Sequence, residues 1–259
     1  MNDTRPIGLF DSGIGGTTVW QAVHHLLPHE NTLFLGDSMN APYGQKTKQE
    51  IIALSKRNTA WLIEQGAKII IVACNTATTN AIAELRNTFE VPIIGIEPAI
   101  KPAAMLTKTG KVGVLATQGT LLSKKYSEAQ LLYPNVTFIN QIGYKIVQII
   151  EEGGLYSTEL ELLLKEYMQP MIEAKIDHLV LGCTHYPYLK PILNKLLPSN
   201  IKIIDSGEAV AKHTRRILEA NNLLKTDKKM GNTKFYTTKN VAVMQSFIHP
   251  FGTAELLVF

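Results

Sequence analysis

Short runs of branched apolar residues recur along the chain, separated by amphipathic stretches of helix length. The runs are rich in Val, Ile and Leu without polar alternation, which is typical of strands buried on both faces of a sheet. The predicted strands span 6–10, 31–35, 68–73, 92–96, 111–116, 136–140, 178–182 and 202–205. The predicted helices span 48–65, 76–89, 158–174 and 188–197. This alternation predicts an α/β protein with mostly parallel sheets.

The second half of the pattern repeats the first. The segment IIIVACNTATT at 69–79 aligns with LVLGCTHYPY at 179–188, and VPIIGIEPA at 91–99 aligns with IKIIDSGEA at 201–209. IGLFDSGIGG at 7–16 matches VGVLATQGT at 112–120 more loosely. The spacing between copies is about 105–109 residues. The chain therefore reads as two similar, pseudo-symmetric α/β units, followed by a tail from about 208 that has no counterpart.

The chain has two cysteines, and each follows a predicted strand at the matched position of its repeat. These are Cys74, in ACNTAT, and Cys183, in GCTHYP. Ligands of open α/β sheets bind at the carboxyl ends of the strands. If the two units face each other across a cleft, we expect the two thiols to face each other across it too.

Several interpretations of the two thiols stay open at this point. A Cys after a buried strand is often only a small hydrophobic residue. A zinc site of Cys74, Cys183 and His185 has the wrong spacing, because a single residue separates Cys183 from His185. A redox pair would need the CxxC motif, which is absent. A Cys–His hydrolase built on Cys183 and His185 leaves Cys74 without a role.

A two-base reaction uses both thiols. One thiolate removes a proton from one face of a carbon while a thiol returns a proton to the other, which inverts the stereocentre. A free thiol has a pKa of about 8.5, so modest tuning lets it act as acid or base. Asp11 and His185 are the candidates for that tuning. Polar residues at strand ends are candidate donors to a substrate carboxylate. They are Ser12, Asn75, Thr76, Thr117 and Thr184.

The loop DSGIGG at 11–16 supports a rival interpretation. It follows a strand and resembles the dinucleotide fingerprint G-x-G-x-x-G, and Asp37 ends the next strand as a ribose-binding acid would. The match is partial, because Thr18 stands where the third glycine belongs. An NAD-linked oxidoreductase is thus one alternative from another class. A non-catalytic amino-acid-binding module is a second, since such a loop also binds carboxylates through backbone N–H groups.

Composition and charge indicate the cellular location and the kinds of partner to expect. The chain of 259 residues is 45% hydrophobic and 19% charged, with a net charge of +4. Its start has no signal-peptide pattern, and no apolar run reaches the ~18 residues of a membrane span. Its lysines are spread out without interleaved Arg or aromatic residues, which argues against a nucleic-acid partner. We expect a cytoplasmic protein with reduced thiols and no membrane partner.

Taken together, the motifs resemble those of the cofactor-independent aspartate/glutamate racemases, and of the glutamate racemases in particular. The motifs are GLFDSGIGG, GDSMNAPYG, ACNTAT, GIEPAIKPA, VGVLAT-x-GT and GCTHYP, in order from residue 8 to about 207. The resemblance implies domains of 1–98 with 208–259 and of 99–207, with the active site between them. It implies interconversion of L- and D-glutamate for peptidoglycan, without metal or organic cofactor. Aspartate racemase is the same-class alternative, and a homodimer is one assembly that the family allows.

The resemblance also assigns roles to individual residues. Cys74 and Cys183 match the proton-transfer thiols for the D and L isomers, assisted by Asp11 and His185 respectively. The family's further acidic residue falls on Glu151, with its neighbour Glu152 as the alternative. The substrate-binding positions are Ser12, Tyr43, Gly44, Asn75, Thr76 and Thr184, with weaker matches at Thr117 and Thr120. The chain departs from the family pattern at Thr17 and Thr78, where we expect an effect on packing rather than chemistry.

Overall fold

The computed structural model describes residues 3–259 and shows an α/β fold. Its strands are β1 (Ile7–Asp11), β2 (Thr32–Gly36), β3 (Ile69–Val72), β4 (Ile93–Gly95), β5 (Lys111–Ala116), β6 (Thr137–Ile142), β7 (His178–Gly182), β8 (Lys202–Ile204), β9 (Thr233–Thr237) and β10 (Ala254–Leu256). The strands predicted from the apolar runs are all present, with ends that differ by no more than about two residues. The two tail strands, β9 and β10, were missed because the tail has no partner in the repeat.

Helices connect these strands and cover both sheets. They are α1 (Thr17–Leu26), α2 (Lys48–Glu64), α3 (Asn75–Thr88), α4 (Ile100–Leu106), α5 (Gln118–Leu121), α6 (Lys124–Leu131), α7 (Ile146–Glu151), α8 (Thr158–Glu173), α9 (Lys190–Leu196), α10 (Gly207–Ala220) and α11 (Val241–Ile248). A capping box between Thr47 and Glu50 starts α2, and the Cys74 side chain caps α3. Among residues 3–259, no helix is long and apolar enough to cross a membrane.

The two sheets confirm the repeat. The first has the order β10-β9-β2-β1-β3-β4, and the second has the order β6-β5-β7-β8. The four strands β2-β1-β3-β4 therefore occupy the places of β6-β5-β7-β8, and every pairing described is parallel. The tail strand β9 extends the first sheet by pairing with β2, from Thr32 opposite Thr233 to Gly36 opposite Thr237. The domain bounds of 1–98 with 208–259 and of 99–207 stay a prediction.

The chain passes between the two sheets twice, just after β4 and just after β8. At these crossings the Ser206 hydroxyl donates a hydrogen bond to the backbone carbonyl of Glu97. Helices α1 and α10 pack against each other, and one hydrophobic cluster contains buried residues from both halves of the chain. The polar edges of the two sheets are thereby held close together. At the departure Thr78, the hydroxyl donates to the carbonyl of Val72 and accepts the N–H of Ile96.

Candidate active site

A narrow cavity lies between the carboxyl ends of strands from both sheets. Cys74 and Cys183 both line it, so the structure brings together the two thiols that the repeat paired. The full lining is Ser12, Pro42, Tyr43, Gly44, Cys74, Asn75, Thr76, Thr117, Val147, Cys183, Thr184 and His185. Sequence reasoning missed Pro42 and Val147, whose apolar side chains carry no chemical signal. The predicted residues Asp11, Glu151 and Thr120 do not line the cavity.

The Cys74 thiol is set up as a proton donor. Its sulfur accepts the backbone N–H of Ala77 at 3.4 Å, and the thiol donates to the hydroxyl of Ser12 at 3.6 Å. Burial raises the pKa of Cys74 well above its usual value, and the nearby charge of Asp11 raises it further. These effects outweigh the hydrogen bond from the backbone N–H of Ala77, which stabilises the thiolate and so lowers the pKa. Cys74 therefore rests as a neutral thiol that has a proton to give.

Cys183 belongs to a different arrangement, a chain of contacts through His185 to Glu151. His185 Nδ1 lies 3.8 Å from the Cys183 sulfur, and Nε2 lies 2.6 Å from Oε1 of Glu151. Burial works to lower the pKa of His185, but hydrogen bonds to Cys183 and Glu151 outweigh it and hold that pKa well above its usual value. A protonated imidazole beside a thiol is the arrangement that supports a thiolate. Cys183 is thus placed to act as a base.

Glu151, rather than Glu152, is the acid in contact with the site. Its Oε1 also accepts the backbone N–H of Ile14 at 2.6 Å, across the boundary between the two sheets. Burial acts to raise the pKa of Glu151, but the hydrogen bond to His185 dominates the remaining effects and the net shift is downward. Glu152 instead accepts a hydrogen bond from Gln148 on an exposed surface. Contact with His185 therefore favours Glu151 over Glu152, and its role as the assisting acid stays a prediction.

Asp11 is hydrogen-bonded to Thr184, whereas its effect on Cys74 is one of charge. Its Oδ2 accepts the N–H of Gly16 at 2.6 Å and the Thr184 hydroxyl at 3.1 Å, whereas its buried Oδ1 has no hydrogen-bond partner. Burial raises the pKa of Asp11 to about 6, and the charge of His185 partly opposes that shift. The expected assistance to Cys74 is therefore electrostatic, without a direct hydrogen bond.

Replacing Asp11 with Asn should change how stability depends on pH. Unfolded Asp11 releases its proton near pH 4, but folded Asp11 keeps it up to about pH 6. The folded state therefore binds more protons in this window, and the free energy of unfolding falls as the pH rises. We expect wild type to lose about 3 kcal/mol relative to Asp11→Asn between pH 4 and pH 7, measured by urea unfolding. Parallel curves for the two proteins would contradict a raised pKa.

The glycine loop at 11–16 has a steric explanation. A Cβ atom at Gly13 would overlap the carboxylate of Glu151, and one at Gly15 would overlap the ring of His185. The glycines let the acid–base pair from the second half of the chain approach the first. The acid of the dinucleotide interpretation, Asp37, is fully buried and pairs with Arg57 at 2.8 Å. The glycine loop is thus occupied by Glu151 and His185, and the Asp37 carboxylate is not free to bind a ribose.

Threonine hydroxyls join the two halves of the chain beside the cavity. The Thr76 hydroxyl lies 2.7 Å from that of Thr117 and 3.3 Å from that of the fully buried Thr120. Thr120 is thus a support behind the wall, whereas Thr76 and Thr117 line the cavity. A Cβ on Gly44 would come within 3.0 Å of Thr117, so a side chain there would crowd this junction.

Asn75 and Tyr43 offer different groups to a ligand. The Asn75 amide nitrogen is buried in the cavity wall without a hydrogen-bond partner, which is costly unless a ligand satisfies it. The Tyr43 hydroxyl is already engaged, because it donates to Asp37 at 2.6 Å and accepts from Asn58 at 3.1 Å. Tyr43 therefore contributes its ring and backbone to the wall.

The zinc interpretation finds no geometry that would support it. Within residues 3–259, no three His, Cys, Asp or Glu side chains are grouped as metal ligands would be. Two parallel α/β units instead bring one thiol each to a single cavity, which is the arrangement that a two-thiol racemase requires.

Comparison with known proteins places the chain within that class. It belongs to the Asp/Glu/Hydantoin racemase family, whose model matches residues 17–214. A glutamate racemase of Pseudomonas putida KT2440 is 42% identical over 247 residues, which cover 95% of this chain and 93% of the relative.

Solved structures agree with this family membership. The glutamate racemase isoform RacE1 of Bacillus anthracis superposes with a TM-score of 0.88 at 29% identity, covering 99% of this chain and 98% of its own. The glutamate racemase of Francisella tularensis, solved with D-glutamate, gives 0.84 at 32% identity with the same coverage. An aspartate racemase of Picrophilus torridus, at 18% identity and a TM-score of 0.55, covers 84% of this chain and 94% of its own and shares the fold alone.

Proposed function

We propose that the protein interconverts L- and D-glutamate by two-thiol proton transfer at the α-carbon. The observation that carries this proposal is the pair of thiols at one cavity, with opposite surroundings. Cys74 is a buried neutral thiol, whereas Cys183 faces a protonated His185. The glutamate racemases similar to this chain over nearly its whole length support the choice of substrate.

The surroundings of the two thiols suit the reaction of L-glutamate, with Cys183 as the base and Cys74 as the acid. The Cys183 thiolate removes the α-proton, and the electron pair of the C–H bond moves onto the α-carbon and its carboxylate. The Cys74 thiol then delivers its proton to the opposite face, which yields D-glutamate. This leaves Cys183 protonated and Cys74 as a thiolate, which is the state that accepts D-glutamate in the reverse direction. Each complete turnover in one direction is followed by exchange of protons with solvent.

Stabilisation of the developing negative charge is the demanding part of this reaction. Donors aimed at the substrate carboxylate must strengthen their hold as charge builds up. The unpartnered amide of Asn75 supplies one such donor, and the first-turn N–H groups of α3 supply others beside it. Thr184, whose hydroxyl donates to Asp11, links this region to the His185 side of the cavity.

The proposal needs no group from outside the chain, because both proton transfers use its own side chains. By family resemblance, the product would supply peptidoglycan synthesis in the cytoplasm, and a homodimer stays a prediction. Aspartate is the alternative substrate. The main argument for an NAD-linked oxidoreductase was the glycine loop. The close approach of Glu151 and His185 gives another reason for glycine at positions 13 and 15. The non-catalytic binding module remains distinguishable by experiment.

Exchange of the α-proton in D2O tests the proposal directly. We expect L-glutamate incubated with the purified protein and EDTA, without added cofactor, to lose its α-proton resonance while D-glutamate appears. Both signals should change together, because the proton is returned from the opposite face by a thiol equilibrated with solvent. Binding of glutamate without exchange of its α-proton would indicate the non-catalytic binding module. Exchange of the α-proton of aspartate but not of glutamate would identify aspartate as the substrate.

A further inference from the structure

The two halves of the chain are also joined at Tyr188, outside the cavity wall. The Tyr188 hydroxyl is hydrogen-bonded to the hydroxyl of Thr17. Thr17 uses its own hydrogen to bond the carbonyl of Ile14 at 2.6 Å, so Tyr188 is the donor in this contact. Burial raises the pKa of Tyr188 to about 12, which keeps the phenol a donor at neutral pH.

This bond joins the segment that carries His185 to the glycine loop. Tyr188 follows His185 in the same short segment, and Thr17 follows Gly15 in the glycine loop that touches His185. A second bond reinforces the junction, because the Thr18 hydroxyl donates to the carbonyl of Thr184 at 2.9 Å. The glycine loop and the segment that carries His185 are thus tied together by contacts in which neither His185 nor Glu151 takes part.

The tail contributes a third element at the same point. The ring of Tyr188 packs edge-on against Phe247 of α11, with ring centroids 4.6 Å apart. Met244 of the same helix is fully buried and lies against Gly36, at the end of β2. Tyr188 therefore sits where both halves of the chain and the tail helix meet.

Substrate cannot reach the thiols in this arrangement without movement. The exposed fractions of Cys74 and Cys183 are 5% and 7%, and the cavity between them is narrow. Entry therefore requires the halves to separate, and closure reassembles the contacts of the site. Bonds that form only when the halves are together shift this equilibrium toward the closed state.

We propose that Tyr188 is a positioning residue, whose hydrogen bond to Thr17 holds the closed state in which Glu151 and His185 reach the glycine loop. The proposal rests on the proposed function for its kinetic consequences, but closure can be measured without turnover. Tyr188→Phe removes the donor and keeps the ring against Phe247. Thr17→Val removes the acceptor, and Thr17→Ser keeps it.

Trapping of the two buried thiols measures closure directly. Loss of one neutral hydrogen bond should raise the rate at which iodoacetamide modifies Cys74 and Cys183 by about 3- to 10-fold. We expect this increase in Tyr188→Phe and in Thr17→Val. The double variant should be modified no faster than either single variant, because both changes remove the same bond. Thr17→Ser should be modified at the wild-type rate. In the racemase assay, KM for both isomers should rise by a similar factor while kcat changes less than about twofold.

Tyr126→Phe is the matched control. It removes a buried phenol hydroxyl that bonds Asn140 at 2.6 Å, within the second half of the chain and away from the junction. It should alter thermal stability but neither trapping nor KM. Unchanged trapping in Tyr188→Phe, or equal increases in Tyr126→Phe, would overturn the proposal. If Tyr188→Phe is trapped faster but the wild-type protein fails to racemise glutamate, the closure role stands and the proposed function is refuted.

Discussion

Replacing either Cys74 or Cys183 with Ser should abolish racemisation, with kcat/KM for both isomers falling by about 10³-fold or more. A serine hydroxyl is a far weaker acid than a thiol, so it neither gives nor takes the α-proton at neutral pH. Both directions fail in each variant, because inversion needs a proton removed on one face and returned on the other. Optical rotation and α-proton exchange in D2O measure the two steps separately.

An elimination assay distinguishes the two thiols. A glutamate analogue with a β-leaving group needs only one base, since loss of the α-proton expels the leaving group. Cys74→Ser keeps Cys183 and should still act on the L analogue, whereas Cys183→Ser should act on the D analogue. The double variant is the control and should do neither. Full racemisation by both single variants would refute the mechanism, and elimination from the opposite isomers would exchange the roles of the two cysteines.

Replacing His185 with Asn should lower kcat by about 10²- to 10⁴-fold. The variant removes the protonated imidazole from its place 3.8 Å from Cys183, so the thiolate loses its partner. It also leaves the Glu151 carboxylate buried without the charge that it pairs with, which should reduce the free energy of unfolding by about 3–5 kcal/mol. Activity and urea unfolding should therefore both be measured on the purified variant.

A second substitution separates these two losses. Adding Glu151→Gln to His185→Asn removes the uncompensated buried charge and should recover much of the stability. It should recover no activity, because the group that supports the Cys183 thiolate is still missing. Recovery of both together would mean that His185 acts only through the fold.

Much of the architecture could be predicted because its signal is local or periodic. Buried parallel strands appear in the sequence as runs of apolar residues, and the spacing of those runs reveals the repeat. Polar residues just after the strands were natural candidates, since the carboxyl ends of parallel strands meet at one edge of a sheet. Ser12, Asn75 and Thr184 accordingly line the cavity. The tail strands had no repeat partner, and they form by pairing with β2.

The sequence by itself determined the α/β class, the duplicated unit and the pairing of Cys74 with Cys183, because these follow from hydrophobic order and spacing within the chain. Tertiary structure alone selected Glu151 over Glu152, placed Asp11 against Thr184 and joined Tyr188 to Thr17. Each of these contacts joins residues remote in sequence, across elements that meet only when the chain has folded. Tertiary structure also decides two protonation states. Burial raises the pKa of Cys74, whereas hydrogen bonds to Cys183 and Glu151 outweigh burial and raise the pKa of His185.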